Sequence, residues 1–195
     1  MDDCNGDIER RMMSIARHTP WFTEALCAVR ALGLHSWCIG AGAVRNLVWD
    51  HLHGFASPSA LADIDVAYFD ATDLSSGRDA HLQSALNAIL PDAPWEVTNQ
   101  AAVHQWFEGH FGHPVEPLAS LEEAVASWPE YATSVGITLL QDDSLRVIAP
   151  YGLEDLFGMV VRRNPARVSI ATYRLRVEQK RYAARWPQVR VEACN

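Results

Sequence analysis

The chain has 195 residues, of which 49% are hydrophobic and 21% are charged, and it carries a formal net charge of −8. This length allows one domain with a real hydrophobic core, and the composition is that of an ordinary globular protein. The negative charge argues against a general polyanion-binding protein, so we expect no DNA partner. The chain has neither an apolar run of membrane-spanning length nor the core of a signal peptide at its N-terminus, which predicts a cytoplasmic protein without a membrane partner.

The basic residues are unevenly distributed along this acidic chain. Nine of its 16 lysines and arginines lie between Arg162 and Arg190, where Glu178 is the only acid. Two interpretations of this segment stay open. Its cations either form salt bridges with the acidic body of the protein or face phosphate groups or RNA.

Helical and strand patterns alternate through the first half of the chain. Helix-start and helix-stop signals and short apolar runs mark the boundaries of these elements. They predict helices over 7–17 and 20–31, a strand over 36–40, a small-residue turn with a helix ending near residue 54, a strand over 62–70, a helix over 81–90 and a strand over 95–99.

The second half is predicted to contain a hairpin and closing helices. A polar turn at 141–144 separates two apolar runs, which is typical of a β-hairpin. The pattern predicts helices over 100–108 and from residue 120, hairpin strands over 134–140 and 145–149, and helices over 153–162 and 168–185. We therefore expect an α/β (α+β) fold with a mixed sheet flanked by helices and a C-terminal helical segment. We expect one domain over 1–195, in which N-terminal helices (1–33) and C-terminal helices (151–195) flank a catalytic core (34–150).

Two carboxylates lie two residues apart in the strand predicted over residues 62–70. Side chains at positions i and i+2 of a strand point to the same face, so Asp63 and Asp65 are expected side by side. That arrangement suits a hard divalent cation held over phosphates. A pair of acids on a solvated sheet edge is the alternative.

A turn of small residues precedes this acidic strand, and a third acid follows it. Gly40 and Gly42 would let a phosphate approach the backbone beside a helix N-terminus. Arg45, one helical turn further on, would either bind a triphosphate or bridge to an internal acid. Glu96 would either complete a three-carboxylate site or face solvent from an edge strand. Among the seven tryptophans, Trp49, Trp95 and Trp106 are the ones expected to line a cleft.

These segments together resemble the DNA polymerase β-type nucleotidyltransferase superfamily. Residues 40–46 (Gly-Ala-Gly-Ala-Val-Arg-Asn) and 63–66 (Asp-Ile-Asp-Val) resemble the Gly-Gly-x-Val-Arg-Asp and Asp-x-Asp motifs of tRNA nucleotidyltransferases and poly(A) polymerases. Residues 95–100 and 150–157 further resemble stretches of a small bacterial "nucleotidyltransferase family protein" group whose substrate is undefined. The resemblance extends from about residue 20 to residue 187. Ala41 and Asn46 depart from the motif, which has Gly and Asp at these positions.

The resemblance implies nucleotidyl transfer from a nucleoside triphosphate to a hydroxyl acceptor. It implies a catalytic role and metal binding for Asp63, Asp65 and Glu96, and phosphate binding for the turn of residues 40–42 and for Arg45. The cofactor would be Mg²⁺, with two ions and with Mn²⁺ as a substitute. The acceptor stays open between a small molecule, a protein and an RNA end. The alternative function is a non-catalytic nucleotide- or protein-binding module on the same fold.

Overall fold

A computed structural model of the chain describes the backbone of residues 2–193 and the side chains of residues 6–193. Its helices and strands alternate as the sequence predicts. In chain order they are α1 (Asp2–Arg17), α2 (Pro20–Arg30), β1 (Trp37–Gly40), α3 (Ala41–His53), β2 (Ile64–Tyr68), α4 (Ser76–Ile89), β3 (Trp95–Asn99), α5 (Val103–Phe111), α6 (Leu121–Ala126), β4 (Gly136–Leu139), β5 (Leu145–Ile148), α7 (Glu154–Phe157), β6 (Val160–Val161), α8 (Ile170–Lys180), α9 (Tyr182–Arg185) and β7 (Arg190–Val191). None of the helices within these residues has the length and apolar character needed to cross a membrane.

Five strands form one mixed sheet in the order β3-β2-β1-β4-β5. The pair β2–β3 is parallel and the other pairs are antiparallel. Ile39 lies opposite Val66, and Asp65 lies opposite Glu96. The C-terminal end of β1 and the N-terminal ends of β2 and β3 therefore meet at one end of the sheet. This confirms the predicted fold class.

Helix α3 lies in the centre of the structure and is buried along most of its length. Its residues from Ala43 to Asp50 are all buried, and the helix contacts α1, α7 and the sheet. The fully buried Trp49 ring donates its N–H to the Leu156 carbonyl at 2.8 Å. Trp49 thus belongs to the core and does not line a cleft, and Trp95 is also buried. The expectation that Trp49 and Trp95 line a cleft is therefore wrong.

Two helices are shorter than their patterns predict, because backbone turns and distant pairing interrupt them. The helix expected over 153–162 ends at Phe157. Met159 then adopts a left-handed conformation (φ 54°), and Val160 pairs with Arg190 in the parallel ladder β6–β7. The helix expected over 168–185 is divided into α8 and α9 by a left-handed Arg181 (φ 48°). In addition, α4 begins at Ser76 and not at residue 81.

A buried carboxylate, Glu130, joins the C-terminal helices to the turn that precedes β4. Glu130 is 1% exposed and accepts a hydrogen bond from Arg176 Nε at 2.9 Å. It also accepts hydrogen bonds from Thr133 Oγ1 at 2.8 Å and from the Tyr182 hydroxyl at 3.3 Å. One carboxylate thereby ties α8 and α9 to the 3-10 turn at Tyr131–Thr133.

We predict that Glu130→Gln lowers the free energy of unfolding by about 2 kcal/mol, because it leaves a largely buried arginine without its counter-charge. Chemical denaturation measures this loss. The control is Glu122→Gln, which removes an exposed partner of Arg146 and should cost less than about 0.5 kcal/mol. Equal effects of the two substitutions would contradict the central role of Glu130.

Candidate active site

A cavity of about 290 Å³ lies at the end of the sheet where β1, β2 and β3 meet α3. We call it the carboxylate cavity because three acids line it. Of the residues predicted as a site, it includes Ala41, Gly42, Arg45, Asp63, Asp65 and Glu96. Gly40 is not part of its lining. Further lining residues are Val66, Ala67, Thr98, Gln100, Trp128, Pro129, Thr133, Arg176 and Lys180.

The sheet register brings the three carboxylates to this cavity. Asp63 immediately precedes β2, Asp65 is the second residue of β2, and Glu96 lies opposite Asp65 on β3. A Cβ atom built on Gly42 would lie 3.7 Å from Asp63 Oδ1 and 3.9 Å from Asp65 Oδ2. The aspartate pair therefore extends over the first turn of α3.

The negative charge of the three carboxylates is not offset by a salt bridge in the described part of the chain. None of the ion pairs formed by residues 6–193 includes Asp63, Asp65 or Glu96. Burial and the charges of Asp63 and Glu96 together raise the pKa of Asp65 to about 7, while the Gly42 backbone N–H and Lys180 act in the opposite direction. A cation bound between these side chains would relieve the repulsion.

The donor set of this cluster fits a hard divalent cation. Carboxylate oxygens are the ligands that Mg²⁺ takes from proteins, and Asp63 and Asp65 converge as a pair. As they stand, no three side chains of metal-binding type within the described part of the chain surround a common point. Glu96 is exposed, so rotation of its side chain can bring its carboxylate toward the pair. The carboxylates of Asp63 and Asp65 thus fit a divalent cation, and the Glu96 side chain would have to rotate to join them as a third ligand.

The turn before α3 uses its three small residues in three different ways. A Cβ on Gly40 would lie 2.4 Å from the Trp128 ring, so this glycine makes room for the tryptophan. Ala41 has a left-handed backbone (φ 48°), which glycine adopts at lower cost. Gly42 alone leaves open space in front of the two aspartates.

Arg45 occupies an aromatic cage formed by Trp49, Tyr182 and Trp186, whose ring centroids lie 5.2–5.7 Å from its guanidinium carbon. Its side chain is 4% exposed, and Nη2 donates to Asn46 Oδ1 at 2.7 Å. Burial lowers the pKa of Arg45, and its Nε has no hydrogen-bond partner among the described residues. Arg45 forms no salt bridge within residues 6–193, so the bridge to an internal acid, one of its two interpretations, is not seen there.

Three lining residues could not be recognised from the sequence as parts of a site. Trp128 follows α6, and Arg176 and Lys180 lie on α8. The only sequence signal for the two cations was the basic composition of the C-terminal segment. Some of its residues form salt bridges with acids of the protein, and others are available to face phosphate groups. Arg162 pairs with Asp155 and Arg176 pairs with Glu130, whereas Lys180 faces the cavity.

Three solved structures share this architecture. An NMR structure described as a CCA-adding enzyme head domain has a TM-score of 0.80 at 29% sequence identity, covering 95% of this chain and 96% of that chain. A CCA-adding enzyme with CTP has a TM-score of 0.55 at 10% identity, and the Thermotoga maritima CCA-adding enzyme with tRNA has 0.52 at 13%. This chain covers 43% and 42% of those two enzymes, which at such identity share the fold alone. No curated protein matches the chain.

The fold is therefore that of a nucleotidyltransferase head domain. A family profile described as nucleotidyltransferase matches residues 27–191, and the chain belongs to this family of enzymes.

We predict that Gly42→Ala keeps or slightly raises the stability of the protein but reduces nucleotidyl transfer at least tenfold. Alanine favours the helix, while its methyl group would enter the space before the aspartates. Gly40→Ala should instead cost about 2 kcal/mol, because its methyl group overlaps the Trp128 ring. Thermal melting and pyrophosphate release measure the two effects, and similar stability losses in both variants would contradict this division of roles.

We predict that Asp65→Asn raises the Tm of the metal-free protein by about 5 °C at pH 8. In the folded protein the pKa of Asp65 is raised to about 7 from 3.8, so the folded state holds this proton more tightly than the unfolded state. The free energy of unfolding therefore falls as the pH rises from about 4 to about 7, and the ionised carboxylate remains destabilising at higher pH. The gain should shrink toward pH 4. Melting in EDTA at both pH values measures it, with the exposed Asp92→Asn as control. A Tm at or below that of the wild type at pH 8 would refute this account.

Proposed function

We propose that the chain is a Mg²⁺-dependent enzyme that moves a nucleoside monophosphate from a nucleoside triphosphate to a hydroxyl acceptor. The observation that carries this proposal is the unneutralised pair Asp63–Asp65, which extends over the first turn of α3 with Glu96 beside it. Residues 34–150 would form the catalytic core, between N-terminal helices (1–33) and C-terminal helices (151–195).

The start of α3 would bind the triphosphate. The helix dipole favours anions at this position, and the first turn of α3 contains no acid. The dipole is the main attraction here, because the Ala41 N–H already donates to the Val135 carbonyl and the Gly42 N–H to Asp65. Arg45 Nη2 would lie 3.7 Å from a Cβ on Gly42, so its cationic group faces the same space as the N-terminus. Because the guanidinium is shielded from water by three rings, its attraction for a phosphate oxygen would be stronger than at an exposed site.

Asp63, Asp65 and Glu96 would hold the metal ions. Bound Mg²⁺ would neutralise charge on the triphosphate and on the leaving pyrophosphate. Glu96 would also accept the proton of the attacking hydroxyl. The hydroxyl oxygen forms a bond to the α-phosphorus, the bond between the α-phosphorus and its bridging oxygen breaks, and pyrophosphate leaves. Lys180, which lines the same cavity, would offset phosphate charge.

The identity of the base and of the acceptor is the open part of this proposal. A CCA-adding enzyme of the same fold was solved with CTP and another with tRNA, which makes CTP the first donor to test. The acidic net charge of −8 does not favour a long RNA as the acceptor.

We predict a Mg²⁺-dependent stabilisation by one nucleoside triphosphate. At a hundredfold excess over its Kd, a ligand that binds only the folded state should raise the Tm by about 5–10 °C. Each of the four triphosphates is tested with Mg²⁺ and with EDTA, and pyrophosphate release is measured in parallel.

The Asp63→Ala, Asp65→Ala double variant should lose both the Mg²⁺-dependent shift and pyrophosphate release, whereas Asp92→Asn, an exposed acid outside the cavity, should keep them. Turnover by the double variant at the wild-type rate would refute the proposed site. A triphosphate shift of equal size in EDTA and in Mg²⁺ would instead favour the non-catalytic binding module.

A further inference from the structure

A second cavity, of about 270 Å³, opens beside Glu96 and continues away from the carboxylate cavity. Glu96, Thr98, Gln100 and Trp128 line both cavities, so the two are adjoining spaces. We call the second one the aromatic cavity, after its lining by α5, α8 and the Trp128 ring.

The aromatic cavity presents ring surfaces that the core does not use. Trp106 is 46% exposed and Phe111 is 44% exposed, although both are large apolar side chains. Phe107 packs between them, with its ring centroid 4.5 Å from that of Phe111 and 6.4 Å from that of Trp106. Rings that converge on a concave site and remain open to solvent are typical of a subsite for a planar apolar group.

Arg167, a partly buried arginine, supplies a cationic group to the same cavity. Its guanidinium lies 5.7 Å from the centroid of the Phe107 ring, and Nη2 donates to the Glu116 carbonyl oxygen at 2.5 Å. Nη1 is buried and has no hydrogen-bond partner among the described residues. None of the ion pairs within residues 6–193 includes Arg167, so an anionic oxygen of a ligand in this cavity would supply its counter-charge.

The direction of nucleotidyl transfer gives this cavity a role, an argument that rests on the function proposed above. In an in-line displacement, the attacking oxygen approaches the α-phosphorus opposite to the departing pyrophosphate. The triphosphate would lie at the start of α3, on the β1 side of Asp65, whereas Glu96 lies on the β3 side. The acceptor must therefore come from the Glu96 side, where the aromatic cavity opens.

We propose that the aromatic cavity binds the acceptor, and that the acceptor is a small hydroxyl compound with a planar ring and an anionic group. The ring lies against Trp106 and Phe111, and the anionic oxygen pairs with the Arg167 guanidinium. The hydroxyl points toward Glu96, which takes its proton as the oxygen–phosphorus bond forms and pyrophosphate leaves.

The charges of the cavity favour a small acceptor over an RNA end. Among the side chains of residues 6–193, the cations that line it are Arg167 and Arg176, and Arg176 is already paired with Glu130. An RNA end would need a series of cations to follow its phosphates, and the chain as a whole carries a net charge of −8. A volume of about 270 Å³ instead suits a compound of about one ring with short substituents.

Ligand-observed NMR on the full chain tests the cavity without metal or nucleotide. The probe is para-hydroxyphenylacetate, which combines a ring, a hydroxyl and a carboxylate, and tyrosol, which lacks the carboxylate, is its comparison. Trp106→Ala should weaken the binding of both compounds at least fivefold. Arg167→Met should weaken the binding of para-hydroxyphenylacetate and leave that of tyrosol unchanged. Phe55→Ala removes an exposed ring outside the cavity and should change neither.

A second measurement tests the role of the cavity as the acceptor site. With Mg²⁺ and a non-hydrolysable nucleoside triphosphate bound, nuclear Overhauser effects are expected between the probe ring and the ribose. Absence of probe binding in EDTA, or binding unaffected by both cavity variants, would overturn the ligand assignment. Probe binding without triphosphate binding would refute the proposed function and with it the acceptor role. If the protein bound a short RNA but not the probe, and if this binding depended on Trp106 and Arg167, the proposal of a small acceptor would be wrong.

Discussion

The arrangement of both cavities depends on the buried Glu130 carboxylate and the three groups that donate to it. Through Arg176 and Tyr182, Glu130 fixes α8 and α9 against the turn before β4. Helix α8 then carries Arg176 into both cavities, and Tyr182 forms one wall of the cage around Arg45. Burial opposes the charge of Arg176, but the Glu130 carboxylate outweighs it and raises the pKa of that guanidinium. The Glu130–Arg176 ion pair therefore holds the C-terminal helices in place and also influences the electrostatic potential of both cavities.

The parts of the site that follow from local sequence could be predicted, and those that depend on distant contacts could not. The Asp63–Asp65 spacing indicated a pair of carboxylates on one face, because strand periodicity is a short-range property. The position of Glu96 beside this pair depends on the pairing of β2 with β3 between distant residues, and the sequence left it open. Trp128, by contrast, reaches the cavity only because Gly40 leaves space for its ring. The ladder β6–β7 joins residues thirty positions apart and interrupts a pattern that is helical by its periodicity. Lys180 could be suspected only from the basic composition of its segment.

The end of the sheet where the carboxylates meet is organised for a ligand at the expense of stability. Ala41 holds a left-handed conformation that costs about 1 kcal/mol for a residue with a Cβ atom. Asp65 is partly buried beside two further negative charges, which raises its pKa to about 7. Both features are unfavourable for the protein without a ligand, and a bound cation would relieve the repulsion at Asp65. Such local conflict with folding is typical of functional sites.

Asn46, a departure from the resembled motif, completes this electrostatic arrangement. Its amide oxygen accepts from Arg45 Nη2, and its amide nitrogen donates to Ser59 Oγ at 3.2 Å and to the Ala60 carbonyl at 3.4 Å. An aspartate would neutralise Arg45 and could not donate to the segment that leads to Asp63. The neutral amide orients the guanidinium and tethers that segment, while it leaves the full positive charge of Arg45 for a ligand. Because the surrounding rings also carry no formal charge, the strongest counter-charge available to Arg45 would be a triphosphate at the start of α3.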